Sequence, residues 1–242
     1  MGLDTKQLAG LLYSMGHTFD NLSSTYIATE EFLRTNNPRV IGSRADLALL
    51  EDLRDASSYA LHEPAPLDAA FVKGVNARLS RTAALEPGVL RTDRNIMVRT
   101  SIGDYIPEVP DEEGMESVLA EARHGDGGLF GAAQLFARLA RMQPFGDGNK
   151  RTALLVANRL LLDHGTGRAL IVPTQDPDRR TFNDLMGLWY VREDVRVMRW
   201  LADYNEDIAG LDEYGRPITR AGCMPRPCGA MGRDGSREGE DG

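Results

Sequence analysis

A chain of 242 residues that is 42 % hydrophobic can bury one good core with a small appendage. Its formal charge of −8 argues against a broad nucleic-acid surface. The opening stretch MGLDTKQLAG lacks the basic end and apolar run of a secretion signal. The longest apolar run, around Leu154 to Leu162, is broken by Asn158 and Arg159, so no membrane span is expected and the expected location is the cytoplasm.

In chain order, helical periodicity dominates. Asp46 to Tyr59 sets Leu47, Leu49, Leu50 and Leu53 on one stripe with charged residues opposite. Leu67 to Leu79 follows HEPAP, whose prolines stop one helix and restart another. Asn95 to Pro110 is the exception. Ile96–Met97–Val98 and Tyr105–Ile106 flank a Gly-containing turn and predict one β-hairpin. Met115 to Ala122 predicts a short helix and Leu129 to Met142 a strongly apolar one ending at Pro144. Another helix is predicted from about Gly148 to His164 with Gly165 as its C′ glycine, and the last two over Thr181 to Tyr190 and Val195 to Tyr204. From about 211 to 242 the chain is rich in Gly, Pro and Arg and is expected to be a disordered tail. Its two cysteines, Cys223 and Cys228, are half of a zinc site at most and are expected to be free thiols.

One stretch stands apart: MQPFGDGNKRTAL, Met142 to Leu154, puts Asp, Gly, Asn, Lys and Arg where an almost wholly apolar helix begins. The first turn of a helix has free N–H groups and partial positive charge, and glycines let a ligand approach the backbone. With Lys150 and Arg151 this makes a phosphate cradle. Asp147 would repel phosphate unless a cation lies between, and magnesium is often held by one carboxylate and substrate phosphates. The bland alternative makes Asp147 an N-cap, the glycines a plain turn and Arg151 a surface ion-pair partner.

QPFGDGNKR, Gln143 to Arg151, resembles the Fic-family signature H-P-F-x-(D/E)-G-N-(G/K)-R at every position but the first. LEPGVLR, Leu85 to Arg91, is similar to the family's PG-x-x-R segment, and VRTSIGDYIPEVP to its flap hairpin. The resemblance spans roughly residues 15 to 205. It implies an all-α Fic-type helical bundle with one short hairpin: a single domain over 1–210, N-terminal helices to about 60 and the core from about 61 to 205. It implies transfer of AMP from ATP to a hydroxyl of a target protein, or of phosphate as in Doc-like members, with ATP or another nucleotide and Mg²⁺ as cofactors. Phe145 would anchor the loop and Asp147 would hold Mg²⁺. Gly146, Gly148, Asn149 and Lys150 would line the phosphates, and Arg151 would grip them. The flap, through Val98, Ser101, Ile102, Gly103 and Tyr105, would clamp the target by strand addition. The resemblance carries no expectation about oligomeric state.

Three departures qualify what the resemblance implies. Gln143 stands where the family has its general-base histidine, and a carboxamide cannot take a proton near neutrality. It can at most orient the attacking hydroxyl, so weak or lost activity is expected. None of His17, His62, His124 and His164 is expected to replace it; His164, at the far end of the motif helix, lies about 20 Å away. Leu154 stands where AMP-transferring members carry a second arginine. GHTFDNLSST, Gly16 to Thr25, looks like an eroded copy of the family's inhibitory motif, with Asp20–Asn21 for Glu–Asn; a plain helix-end turn is the alternative. Three readings stay open: a transferase, a non-catalytic nucleotide-binding relative, and a pure interaction module.

Overall fold

The computed structural model describes residues 2–82 and 86–221, which hold nine α-helices and two short hairpins. Most of the early helices begin at a side-chain cap. α1 (Thr5–Phe19) opens with a reciprocal capping box between Asp4 and Gln7. Thr25, Ser43 and Asp68 cap α2 (Tyr26–Thr35), α3 (Arg44–His62) and α4 (Ala69–Asn76). Asp111 caps α5 (Glu112–His124). α6 (Leu129–Met142), α7 (Asn149–Asp163), α8 (Asp178–Arg192) and α9 (Arg196–Asp207) follow, none with a side-chain cap bond.

α7 is the central helix. From Arg151 to Leu161 every residue is buried, against α6, α3, α4 and α1. Its two polar interruptions are used to seat loops. Asn158 bonds both the N–H and the C=O of Leu170, and Arg159 donates to the carbonyls of Ala60, Glu63 and Ala65 while lying over the Phe71 ring. Burying these groups without partners would cost a few kcal/mol each; with partners they fasten α7 to α3 and to the 169–172 segment.

The hairpin is β1 (Val98–Arg99) paired with β2 (Asp104–Tyr105), in register Val98 to Tyr105. It rests on α8. Tyr105 stacks on Tyr190 with centroids 5.6 Å apart, Ser101 Oγ donates to Asp184 at 2.7 Å, and Gly187 lets the tip come close.

The expected tail boundary is corrected. β3 (Ile208–Leu211) pairs with β4 (Pro217–Thr219), so ordered structure runs past residue 211 to the end of the described residues. Composition hid this because, apart from the buried Ile208 and Leu211, the hairpin is held by specific contacts. Thr174 donates to the Gly215 carbonyl at 2.6 Å, Arg220 Nε donates to that of Ile208 at 2.8 Å, and Gly215 packs against the Tyr13 ring. Cys223, Cys228 and Leu85 lie outside the described residues. Among the described residues no helix is long and apolar enough to cross a membrane.

Candidate functional site

The polar stretch forms a tight turn between α6 and α7, and three buried side chains brace it. Arg91 donates from Nε to the Gln143 carbonyl at 2.6 Å and from its backbone N–H to that of Pro144 at 3.0 Å. Asn149 closes the turn on itself, accepting from Phe145 N–H at 2.8 Å and donating to the Phe145 carbonyl at 2.9 Å. Asn76, from α4, donates to the Asp147 carbonyl at 3.1 Å. Phe145 is buried beneath.

Gly148 occupies the N-cap position of α7 at φ 74°, where a Cβ would come within 2.6 Å of Leu79. The alternative of Asp147 as N-cap therefore fails. Its Oδ1 accepts from the Gly148 N–H at 2.6 Å, and α7 begins with no side-chain cap on its N–H groups. Arg151 is not a surface residue either: it is 3 % exposed. Its Nη1 donates to Thr82 Oγ1 at 2.8 Å, and its Nε and Nη2 stand 3.5 Å from Asp20 and Asp147.

The turn opens on a cleft of about 400 Å³. Ile96 to Arg99 form one wall, Gln143 and the turn Gly146–Arg151 the other, and Phe19 with Asp20 close the end. A second cleft of about 440 Å³, between α1, α8 and the hairpin, shares Val98, Arg99 and Lys150 with the first. Lys150 lies over the Phe19 ring, and burial holds its pKa below the usual lysine range, partly countered by Asp20.

Asp20 reaches the site from the last turn of α1. Burial raises its carboxyl pKa to about 6; Arg151 and Lys150 oppose the rise and Asp147 adds to it. Its Oδ2 is buried with no partner. The acid that the sequence read as a relic of an inhibitory motif thus touches the motif arginine itself, since Leu154 is fully buried in the core.

Gln143 is buried in a left-handed conformation, φ 49°, at the end of α6. Its Nε2 donates to the Ala140 carbonyl at 2.7 Å and its Oε1 accepts from Asn149 Nδ2 at 3.1 Å. Tyr190, fully buried with its pKa pushed up by burial, lies beside it without a hydrogen bond of full geometry. Of the histidines, only His17 lines one of these two clefts, the second. Its Nδ1 is buried and unpartnered, and burial and then Arg179 lower its pKa.

The predicted flap residues divide by role. Ser101, Ile102 and Tyr105 contact α8, and Gly103, at φ 151°, makes the turn. Val98 faces both clefts, and the exposed apolar side chains near the hairpin are Met97, Ile106 and Val109. Sequence reasoning missed Thr82 and Asn76, which carry no motif signal because their partners are distant in the chain.

Residues 66–161 match the Fic/DOC family, a span that covers the turn, Thr82, Arg91 and the hairpin. This matched span is a Fic/DOC family domain. No curated protein matches the chain. Among solved structures, a Fic domain-containing signaling protein from Bacteroides thetaiotaomicron is 20 % identical with a TM-score of 0.59, covering 82 % of this chain and 81 % of that one. Fic-1 from C. elegans, residues 134–508, is 19 % identical with a TM-score of 0.62, covering 81 % and 60 %. IbpAFic2 covalently tethered to Cdc42 is 16 % identical with a TM-score of 0.50, covering 84 % and 64 %. The chain thus spans less than two thirds of the last two. At these identities the likeness shows the fold.

The donor set fits the magnesium that the family implies. Asp147 is half-exposed at the cleft, whereas Asp20, its carboxyl pKa raised to about 6 by burial, faces Arg151 and stays outside the donor set. Among the described residues no cluster of three acids, histidines or cysteines exists. A cation here would take its remaining ligands from phosphate and water, as Mg²⁺ does.

Proposed function

We propose that the cleft between β1 and the α6–α7 turn binds the phosphates of a Mg-nucleotide. The protein is then a relative of the enzymes that transfer AMP from ATP to a hydroxyl of a target protein, with weak or lost activity. The observation that carries this reading is Arg151: a guanidinium 3 % exposed, held at an uncapped helix N-terminus beside a glycine that no larger residue replaces without collision. Arg151 and the first-turn amides of α7 would take phosphate oxygens, and Gly148 keeps that backbone approachable. Asp147 would hold Mg²⁺, which when bound supplies charge neutralisation at the phosphates. Lys150 adds positive charge at the junction of the two clefts, and the nucleoside would extend into the second.

The target segment would add to the free edge of β1, which lines the phosphate cleft, with the hairpin already seated on α8. That IbpAFic2 was captured on Cdc42 supports a protein as the partner. Proton removal from the acceptor hydroxyl is the step without a group: Gln143 has no basic atom, and both its polar ends are engaged inside the protein. Missing general-base catalysis costs about 10²–10⁴-fold. The engaged carboxamide favours the non-catalytic nucleotide-binding relative as a second reading. Lys150 at the cleft and the buried Leu154 make Doc-like phosphotransfer the alternative to AMP transfer.

Calorimetry with Mg-ATP on the parent and on Arg151→Ala tests the site. Binding lost with the arginine is the expected result; no binding by the parent up to millimolar nucleotide removes the reading. Incubation with α- and γ-labelled ATP and a lysate then separates AMP transfer, phosphotransfer and no transfer.

A further inference from the structure

The three contacts of Arg151 are unequal. Nη1 donates to Thr82 Oγ1 at 2.8 Å, a hydrogen bond, whereas Asp20 and Asp147 stand at 3.5 Å, beyond normal hydrogen-bond length. Thr82 Oγ1 also lies 2.7 Å from Oδ2 of Asp52. An ionised carboxylate only accepts and a guanidinium only donates. The Thr82 proton therefore points at Asp52, and its lone pairs point at Arg151. Asp52 is fully buried on α3 and also takes the N–H groups of Arg81 and Thr82 and the Arg81 guanidinium.

We infer that Thr82 and Asp52 are positioning residues that decide which edge of Arg151 an anion meets. With Nη1 committed to Thr82, the Nε–Nη2 edge remains, the side from which two parallel N–H bonds reach two oxygens of one phosphate. Asp20 and Asp147 sit on that edge at ion-pair distance and can yield to a ligand. Thr82 does not yield, because its bond continues into a buried carboxylate that accepts from three other donors. The inference rests on the reading of Arg151 as the phosphate-binding arginine.

Thr82→Val keeps the side-chain shape and removes the hydroxyl, while Asp52 retains its other donors, so the fold should survive; Thr82→Ser keeps the hydroxyl. In calorimetry with Mg-ATP, the Val variant should bind about tenfold more weakly and the Ser variant within about twofold of the parent. Parent-like affinity in Thr82→Val, with binding absent in Arg151→Ala, overturns the inference. If the parent itself binds no Mg-ATP, the phosphate reading has failed, and the positioning is read on the free protein. The Arg151 guanidinium N–H signals, followed by ¹⁵N NMR, should shift and exchange with water faster in Thr82→Val, where Nη1 has lost its acceptor, and stay as in the parent in Thr82→Ser. Unchanged Arg151 signals in Thr82→Val overturn the inference. Should Thr82→Val unfold, Thr82→Ala, which leaves room for water, takes its place in both measurements.

Discussion

Asn149 and Gln143 are joined across the α6–α7 turn, Nδ2 to Oε1 at 3.1 Å, while Gln143 donates its own amide to Ala140 at 2.7 Å. Each end of the carboxamide has a partner within the protein. An imidazole at position 143 could keep one of these contacts and turn its second nitrogen to the cleft. Gln143→His is therefore expected to raise label transfer from ATP to a target, by up to about 10²-fold. A His variant that binds Mg-ATP like the parent and transfers no more label counts against the proposed site.

Asp20 sets a pH dependence whose sign follows from its raised pKa. Between the ordinary carboxyl value of 3.8 and about 6, the folded state holds a proton that the unfolded state has released. Stability from this group falls as pH climbs through that window, and the penalty is complete near pH 7, on the order of 1–3 kcal/mol. Asp20→Asn should be more stable than the parent at pH 7 and equal to it near pH 4 in denaturant titrations. It should also bind Mg-ATP more tightly, since a competitor for Arg151 is gone. Identical stability at both pH values refutes the first part and unchanged affinity the second.

Gly148→Ala should cost more than a backbone penalty alone. Its φ of 74° costs a non-glycine residue about 1–2 kcal/mol, and the new Cβ would lie 2.6 Å from Leu79 and 3.1 Å from Asn76. Gly165→Ala is the internal control: φ is 66° there and nothing stands within 4 Å. Thermal unfolding should show the larger drop for position 148, and only that variant should lose Mg-ATP affinity. Equal drops would mean that the turn relaxes around a methyl group.

Gly187→Leu should lift the hairpin from α8, because even a Cβ at 187 lies 3.0 Å from Ile102 and 3.1 Å from Thr100. Hydrogen exchange at the Thr100 amide, which bonds the Gly103 carbonyl at 3.2 Å, is expected to accelerate by about tenfold or more while α7 keeps its protection. Unchanged exchange at Thr100 would show that the hairpin does not depend on that seat.

Long periodic segments were the legible part of the sequence. α6 runs Leu129–Met142 as its apolar stripe predicts, and α7 ends one residue before the expected limit, just ahead of Gly165. The hairpin, too, lies where alternating residues and a glycine put it. Contacts between distant segments were not legible. Thr82 meets Arg151, and Asn76 meets Asp147, only because α4 and the stretch after it pack on α7, and no local pattern encodes that. Asp20 was visible as a letter, but its burial against Arg151 is a property of where α1 ends. The second hairpin escaped because a Gly- and Pro-rich composition measures apolar content and says nothing of single hydrogen bonds to Gly215 and Ile208.

Arg91 holds the carbonyls of Gln143 and Pro144 on one side and, through Nη2, that of Glu108 at the base of the hairpin on the other. The guanidinium is planar, so its bonds to Gln143 and Glu108 leave from fixed directions, and the backbone N–H adds the bond to Pro144. The α6–α7 turn and the base of the hairpin therefore share a single anchor, so replacing Arg91 would release both sides of the cleft at once.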